Sequence, residues 1–372
     1  LIDGVVNGCP SHLLEPSRSN VLPYSEDFIQ LSSQSNITIS DNQVISPEGS
    51  LNASSFIDNS ASGVHRAFSV YSSSIASGQL VSHSIFAKAK EHKWFQLSTG
   101  GNTDDQWANF DLENGVIGNS SSSANPIIEN YGNGWYRCIL FATTSATNAS
   151  LAGLVTLTNN LDATLRSPSY SGSNKGVYVF GLQIEQGSFP TSYIKSNSGS
   201  ATTRVAETAT GAGDASTFND SEGVLMVEVS KINESEGEGT IAISRDVNNE
   251  IRLNFAENNR LNVFVNVLGN NQVYMDNADY NLAEYNKIAI KYKLNDYSVF
   301  VNGNKIHTDT DATVPSGLNL VDFNHGASSN NFYGSAKQLQ YFDSALNDSD
   351  LETLTSWTSF TDLANGQTYS IK

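Results

Sequence analysis

The chain has 372 residues, with 20 Lys and Arg against 38 Asp and Glu, a net formal charge of −18; only 16% of residues are charged and 38% are hydrophobic. That balance excludes a nucleic-acid or anionic-membrane binder, because phosphate contacts need Lys and Arg, and no apolar run approaches the ~18 residues of a membrane span. With 8 prolines and no blocks of like charge, disorder is excluded too, and a remainder rich in Ser, Thr, Asn and Gly predicts many short strands joined by polar turns.

The acidity is uneven. Residues 1–200 hold 9 basic and 15 acidic side chains, net −6, and residues 201–372 hold 11 and 23, net −12. The length predicts two domains at roughly 150 residues each. No signal peptide is present and the chain starts at Leu1, so the sequence leaves export undecided. Two cysteines, Cys9 and Cys138, form no disulfide framework. A buried free thiol is expected at Cys138, and a single Cys9–Cys138 bridge is left open.

In chain order, residues 1–20 have no clear period and predict an extended arm. Residues 21–195 predict a β-sandwich, with strand signals in "VSHSIFAKAK", "KWFQLS", "WANFDL", "WYRCILFATT" and "GVYVFGLQIE". In the last of these, Tyr178, Phe180, Leu182 and Ile184 are expected to face the core. Residues 196–217, poor in large apolar side chains, predict a linker. Residues 218–356 predict a second β domain. There "KIAIKYKL" turns Ile288, Ile290, Tyr292 and Leu294 one way and Lys287, Lys291 and Lys293 the other, and Asn302-Gly303 predicts a type I′ hairpin. "LNDSDLETL" predicts a short helix on a sandwich edge, capped by Asn347 or Asp348, and 357–372 form a tail that Trp357 packs down. The fold class is therefore all-β: two tandem antiparallel β-sandwich (jelly-roll) domains with a short C-terminal helix.

Alternation also nominates a site. In "QWANFDLE" Ala108, Phe110 and Leu112 share one face, and Trp107, Asn109, Asp111 and Glu113 the other. In "KWFQLS" Trp94, Gln96 and Ser98 share the polar face. If the two strands are hairpin partners, Trp94, Gln96, Trp107, Asn109 and Asp111 make one polar, aromatic surface. Rings stack on the apolar face of a pyranose while amides and carboxylates bond its hydroxyls. The same surface also suits a subunit contact or ordinary packing. Trp135 reads as structural.

Other chemistry is thin. Glu234, Glu236 and Glu238 lie in a Gly-rich polar turn and lack the spacing of glycosidase carboxylates. The six histidines have no metal-ligand spacing, and nothing brings His83 to Tyr71 or Tyr131 as a lyase base. The expectation is a noncatalytic chain without cofactor. Calcium is the one ion left open, at Asp276 and Asp279 in "MDNADYN" and Asp309 and Asp311 in "HTDTDAT".

Three phrases carry a resemblance. "LLEPSRSNVLPYSEDF" (13–28), "GNGWYRC" (132–138) and "GLQIEQGSFPTSYIKSNSGSATTRVAE" (181–207) resemble the carbohydrate-binding-module-like sandwich of bacteriophage tail-fibre and other virion proteins. Residues 218–356, with "VFVNGNKI" and "FYGSAKQLQYFDSALNDSDLETL", resemble a concanavalin A-like, laminin-G-type jelly roll. The resemblance implies a virion protein, assembled in the host cytoplasm with other virion proteins and as a homo-oligomer, that adheres to host surface polysaccharide. Its rivals are a purely structural fibre or capsid-decoration subunit and a polysaccharide depolymerase. The laminin-G-type resemblance also favours calcium at a loop rim.

Overall fold

Alternating apolar residues build four large antiparallel sheets in the computed structural model, which describes residues 11–232, 237–277, 280–325 and 329–357. The described residues divide into two compact units, 17–205 and a second made of 11–16 with the described part of 206–357.

In the first unit one six-stranded sheet runs Val116–Ser120, Trp107–Asp111, Trp94–Ser98, Ser150–Leu157, Arg66–Ser72, Ser33–Ser35. The other runs Ile127–Asn130, Trp135–Thr143, Leu80–Ala89, Gly176–Gln186, Leu51–Asp58, Ile37–Ile45. Their inner faces meet in a core that includes Phe28, Phe56, Ile85, Phe95, Phe110 and Leu140. Cys138 lies in this core as a free thiol, and burial pushes its pKa well up; Cys9 lies outside the described residues.

One strand departs from its predicted alternation. Val177 and Val179, not Tyr178 and Phe180, face the main core, whereas Leu182 and Ile184 do face it. The register against Leu80–Ala89 shifts between Phe180 and Gln183, where Gly181 takes φ 62°. A bulge adds a residue to one strand and so reverses which face its side chains take. Tyr178 and Phe180 are thereby placed on the outer face of the sheet.

The second unit pairs a six-stranded sheet (His12–Leu14, Gly334–Phe342, Glu222–Lys231, Asn286–Lys293, Tyr297–Val301, Asn304–Asp309) with a five-stranded one (Asn270–Asn277, Leu261–Val267, Asn249–Phe255, Gly239–Asp246, Leu320–Asp322). Leu225, Val227, Ile251, Val263, Ile288 and Ile290 are among the residues between them. Asn302 and Gly303 take φ 51° and 82° and close the predicted hairpin. Ile288, Ile290 and Tyr292 point inward as expected, but Leu294 lies past the strand end and is exposed.

The Asp348–Thr355 helix is capped by the Asn347 side chain, which accepts from the Asp350 N–H. It lies on a sheet face rather than an edge: Leu351 is buried with Val224, Met226, Ala289 and Phe300. Lys287 and Lys291, expected in solvent, are consequently buried. Lys291 pairs with Asp296 at 2.7 Å, and the Lys287 ammonium sits 4.6 Å from the Trp357 ring. The tail beyond Trp357 lies outside the described residues.

The arm and the linker are corrected. His12–Leu14 is an edge strand on Gly334–Phe342, and Arg18–Asn20 pairs with Thr202–Arg204 inside the first unit. At the far end of the expected linker, Ala212 exchanges backbone bonds with Val321. Strands of three residues are too short to display an alternation, so both segments read as irregular.

Candidate functional site

The register Trp107–Ser98, Asn109–Gln96, Asp111–Trp94 makes the two strands hairpin partners and puts the nominated side chains on one face. That face is covered. The segment after Ser150–Leu157 crosses it, and its backbone takes up the amides. Asn109 Nδ2 donates to the Leu161 and Ala163 carbonyls, each at 2.9 Å. Gln96 Nε2 donates to Asn109 Oδ1 at 2.9 Å and to the Leu165 carbonyl at 3.0 Å, and Gln96 Oε1 accepts from the Ser167 N–H at 2.7 Å.

Gln96 and Asn109 are fully buried, and every donor and acceptor of both amides has a partner inside the protein. Asp111 accepts from the backbone of Glu113 and Asn114, the Asn114 amide and Trp94 Nε1 (3.1 Å). Burial alone would raise its pKa, but these bonds outweigh it and hold the carboxyl below its usual range. The expectation of an open polar platform is therefore corrected: Gln96, Asn109 and Asp111 pin a loop and a turn. Trp94 and Trp107 stay half-buried at opposite ends of this ladder.

Two of the calcium candidates have partners within the protein. The Asp276 carboxylate is clasped by the Arg260 guanidinium, whose Nε lies 3.0 Å away, with a second nitrogen in closer ion pair. Asp309 accepts from the backbone of Asp311 at 2.9 Å, and Asp279, like Glu234 and Glu236, lies outside the described residues. Among the described residues no three His, Cys, Asp or Glu side chains gather as metal ligands. His83 faces the core with neither ring nitrogen bonded, and burial, opposed by the charge of Asp104, pushes it down to about 3. It has no access to a substrate.

A cleft that the sequence reading did not nominate lies on the outer face of the other sheet. Across that face Trp135 stands opposite Lys88, and Lys88 opposite Tyr178. Phe86, Trp135, Phe180 and Ala53 form a buried cluster there, packed by Val44, Tyr178 and Tyr193. The segment after Gln186 folds back over part of it: Tyr193 packs on Phe180 at 5.3 Å, and Arg137 donates to the Thr191 carbonyl at 2.7 Å.

Between the Ser46–Ser50 and Tyr131–Trp135 turns a cavity of about 410 Å³ stays open, lined by Ile45, Ser46, Lys88, Tyr131, Asn133 and Trp135 among others. Gly132, Asn133 and Gly134 take φ 76°, 53° and 77°, which is why the "GNG" of the second motif is needed. Trp135 is buried as a floor, its Nε1 donating to the Ile45 carbonyl at 3.1 Å. Tyr131 is 40% exposed and packs edge-on against Phe86 at 4.8 Å. Ser46 is only 4% exposed, yet its hydroxyl has no hydrogen-bond partner. Aromatic surface beside convergent polar groups, in a volume of this order, is the usual make-up of a small-ligand site.

Residues 230–352 match the sequence profile of the Concanavalin A-like lectin/glucanases superfamily (Laminin_G_3). No curated protein sequence matches the chain. Among solved structures, the chain is similar to the Ruminococcus gnavus IT-sialidase CBM40 (17% identity, 40% of this chain and 94% of that one, TM-score 0.33). It is also similar to a Limulus polyphemus SAP-like pentraxin (14% identity, 37% and 71%, TM-score 0.31) and to mouse laminin α1 domains LG4-5 (11% identity, 78% and 90%, TM-score 0.26). The profile match makes residues 230–352 concanavalin A-like in fold.

Proposed function

We propose that the chain is a noncatalytic adhesion protein of a virion surface, which binds a host surface polysaccharide through the cleft of the Ser17–Val205 unit. The observation that carries the reading is the cleft itself: an exposed Tyr131 ring, the Trp135 floor and the Lys88 ammonium around one 410 Å³ space. A pyranose offers an apolar C–H face to an aromatic ring and hydroxyls to polar groups at its rim. Among the described residues that line the cleft there is no Asp, Glu or His, which supports binding over hydrolysis, since glycosidases generally need two carboxylates. The lectin-type profile over residues 230–352 supports a glycan partner for the second unit as well.

The virion setting rests on the three sequence phrases between residues 13 and 207. In a homo-oligomer carried by a particle with other virion proteins, each site can be weak, because linked copies raise avidity by ~10²–10⁴ without new contacts. The test is binding of the purified chain to host cells and to their extracted polysaccharide. Saturable binding that competes with free polysaccharide is expected. No binding, even by the multimerised chain, would leave a structural fibre or decoration subunit as the better account, and new reducing ends or unsaturated sugars would indicate a depolymerase.

A further inference from the structure

We infer that the cleft selects an acidic saccharide, whose carboxylate is held by the Lys88 ammonium; this rests on reading the cleft as a glycan site. Lys88 is the one charged side chain among the described residues that line it. The chain has 38 acidic and 20 basic side chains, and many of its cations pair with carboxylates. On this side of the unit Lys90 pairs with Glu91 and Lys195 with Glu26, at 2.6 Å for the latter, while Arg137 is occupied by Ser84 and Thr191. Lys88 has no carboxylate partner among the described residues. Its Nζ donates only to the Asn133 carbonyl, at 2.6 Å, so two of its three N–H donors remain for a ligand.

The ammonium is also held in place. Lys88 lies between Trp135 and Tyr178 across the sheet. Its stem runs alongside Gly134, where a Cβ would meet Lys88 Cε at an ordinary contact distance of 3.4 Å. A cation beside an exposed aromatic ring fits a sugar acid: carboxylate on Lys88, ring face on Tyr131. The acidity of the rest of the molecule does not oppose this at close range. Charges beyond ~8 Å are largely screened at physiological salt, whereas a contact pair within a cleft is screened much less.

The experiment measures binding of the full chain to the host polysaccharide, polygalacturonate, alginate and hyaluronan, each intact and after chemical reduction of its carboxylates to alcohols. Wild type, Lys88→Gln, Lys88→Arg and Tyr131→Ala are compared, with thermal melts to confirm folding. Wild type is expected to bind at least one intact acidic polymer about tenfold tighter than its reduced form, as for a charge-assisted hydrogen bond. Lys88→Gln should bind both forms at the weaker level, Lys88→Arg should keep the preference, and Tyr131→Ala should lose both. Equal binding of intact and reduced polymers by wild type, or a preference that survives in Lys88→Gln, would overturn the acidic-sugar inference and leave the glycan reading standing. Binding only to a neutral host polysaccharide would do the same. Binding to none of the polymers would remove the glycan reading itself.

Discussion

The indole N–H of Trp135 donates to the carbonyl of Ile45 at 3.1 Å, and this bond ties together the two turns that bound the cleft. Trp135→Phe keeps an aromatic floor but removes that bond. A lost hydrogen bond whose acceptor can turn to water costs about 0.5–1.5 kcal/mol. The first unit should lose stability of that order in urea titrations and should bind glycan more weakly while remaining folded. Unchanged binding would show that the bond does not shape the cleft.

The Gln96–Asn109 ladder predicts a different mutant. Asn109→Ala removes the donors to Leu161 and Ala163 and the acceptor for Gln96. Stability should fall by roughly 2–4 kcal/mol, from several unpaired buried groups, and hydrogen exchange should accelerate over residues 160–167. Glycan affinity of the folded fraction should not change. A selective loss of binding at full stability would return the ladder to the role of ligand surface.

Acid lability should centre on His83. Buried and neutral, it is pushed down to about 3, against an ordinary value of 6.5. Between these values the unfolded chain binds a proton that the folded chain does not, so stability falls as pH drops from 6.5 toward 3, by at most about 1.4 kcal/mol per pH unit. Asp58 acts lower. Burial would raise its carboxyl, but bonds from His92, the Lys175 and Ser173 backbone and Tyr170 hold it at about 2, so its contribution is lost as pH falls from 3.8 toward 2. Thermal melts of wild type and His83→Leu should diverge progressively below pH 6.5, the variant melting higher in acid. Parallel curves would exclude His83 as the cause.

In the second unit, Leu351 is the helix side chain buried against Val224, Met226, Ala289 and Phe300. Leu351→Ala should cost about 2–5 kcal/mol and expose Lys287 and Lys291. Trypsin cleavage at these lysines, slow in wild type, is the readout; equal cleavage rates would mean that the helix does not shield the sheet.

The sequence made legible what alternation controls. It assigned Trp94, Gln96, Trp107, Asn109 and Asp111 to one face, and the register bears this out. It did not say what covers that face, because residues 158–167 have no period of their own and act through backbone carbonyls. The bulge at Gly181 moved Tyr178 and Phe180 to the outer face, and a period-2 reading cannot anticipate an inserted residue. Ser46, Lys88 and Tyr131 meet only through pairing across the sheet, so no local motif announces the cleft. The "GNGWYRC" phrase is its one visible trace, and in it Trp135 reads as structural.

The most direct measurement is the affinity of the full chain for host surface polysaccharide, in wild type, Tyr131→Ala and Trp107→Ala. Losing one aromatic stacking partner costs about 1–3 kcal/mol, a range taken from stacking on bases. A cleft site predicts that Tyr131→Ala weakens binding by that amount while Trp107→Ala leaves it nearly unchanged. Saturable wild-type binding that survives Tyr131→Ala and disappears in Trp107→Ala would contradict the cleft and place the sugar on the opposite sheet.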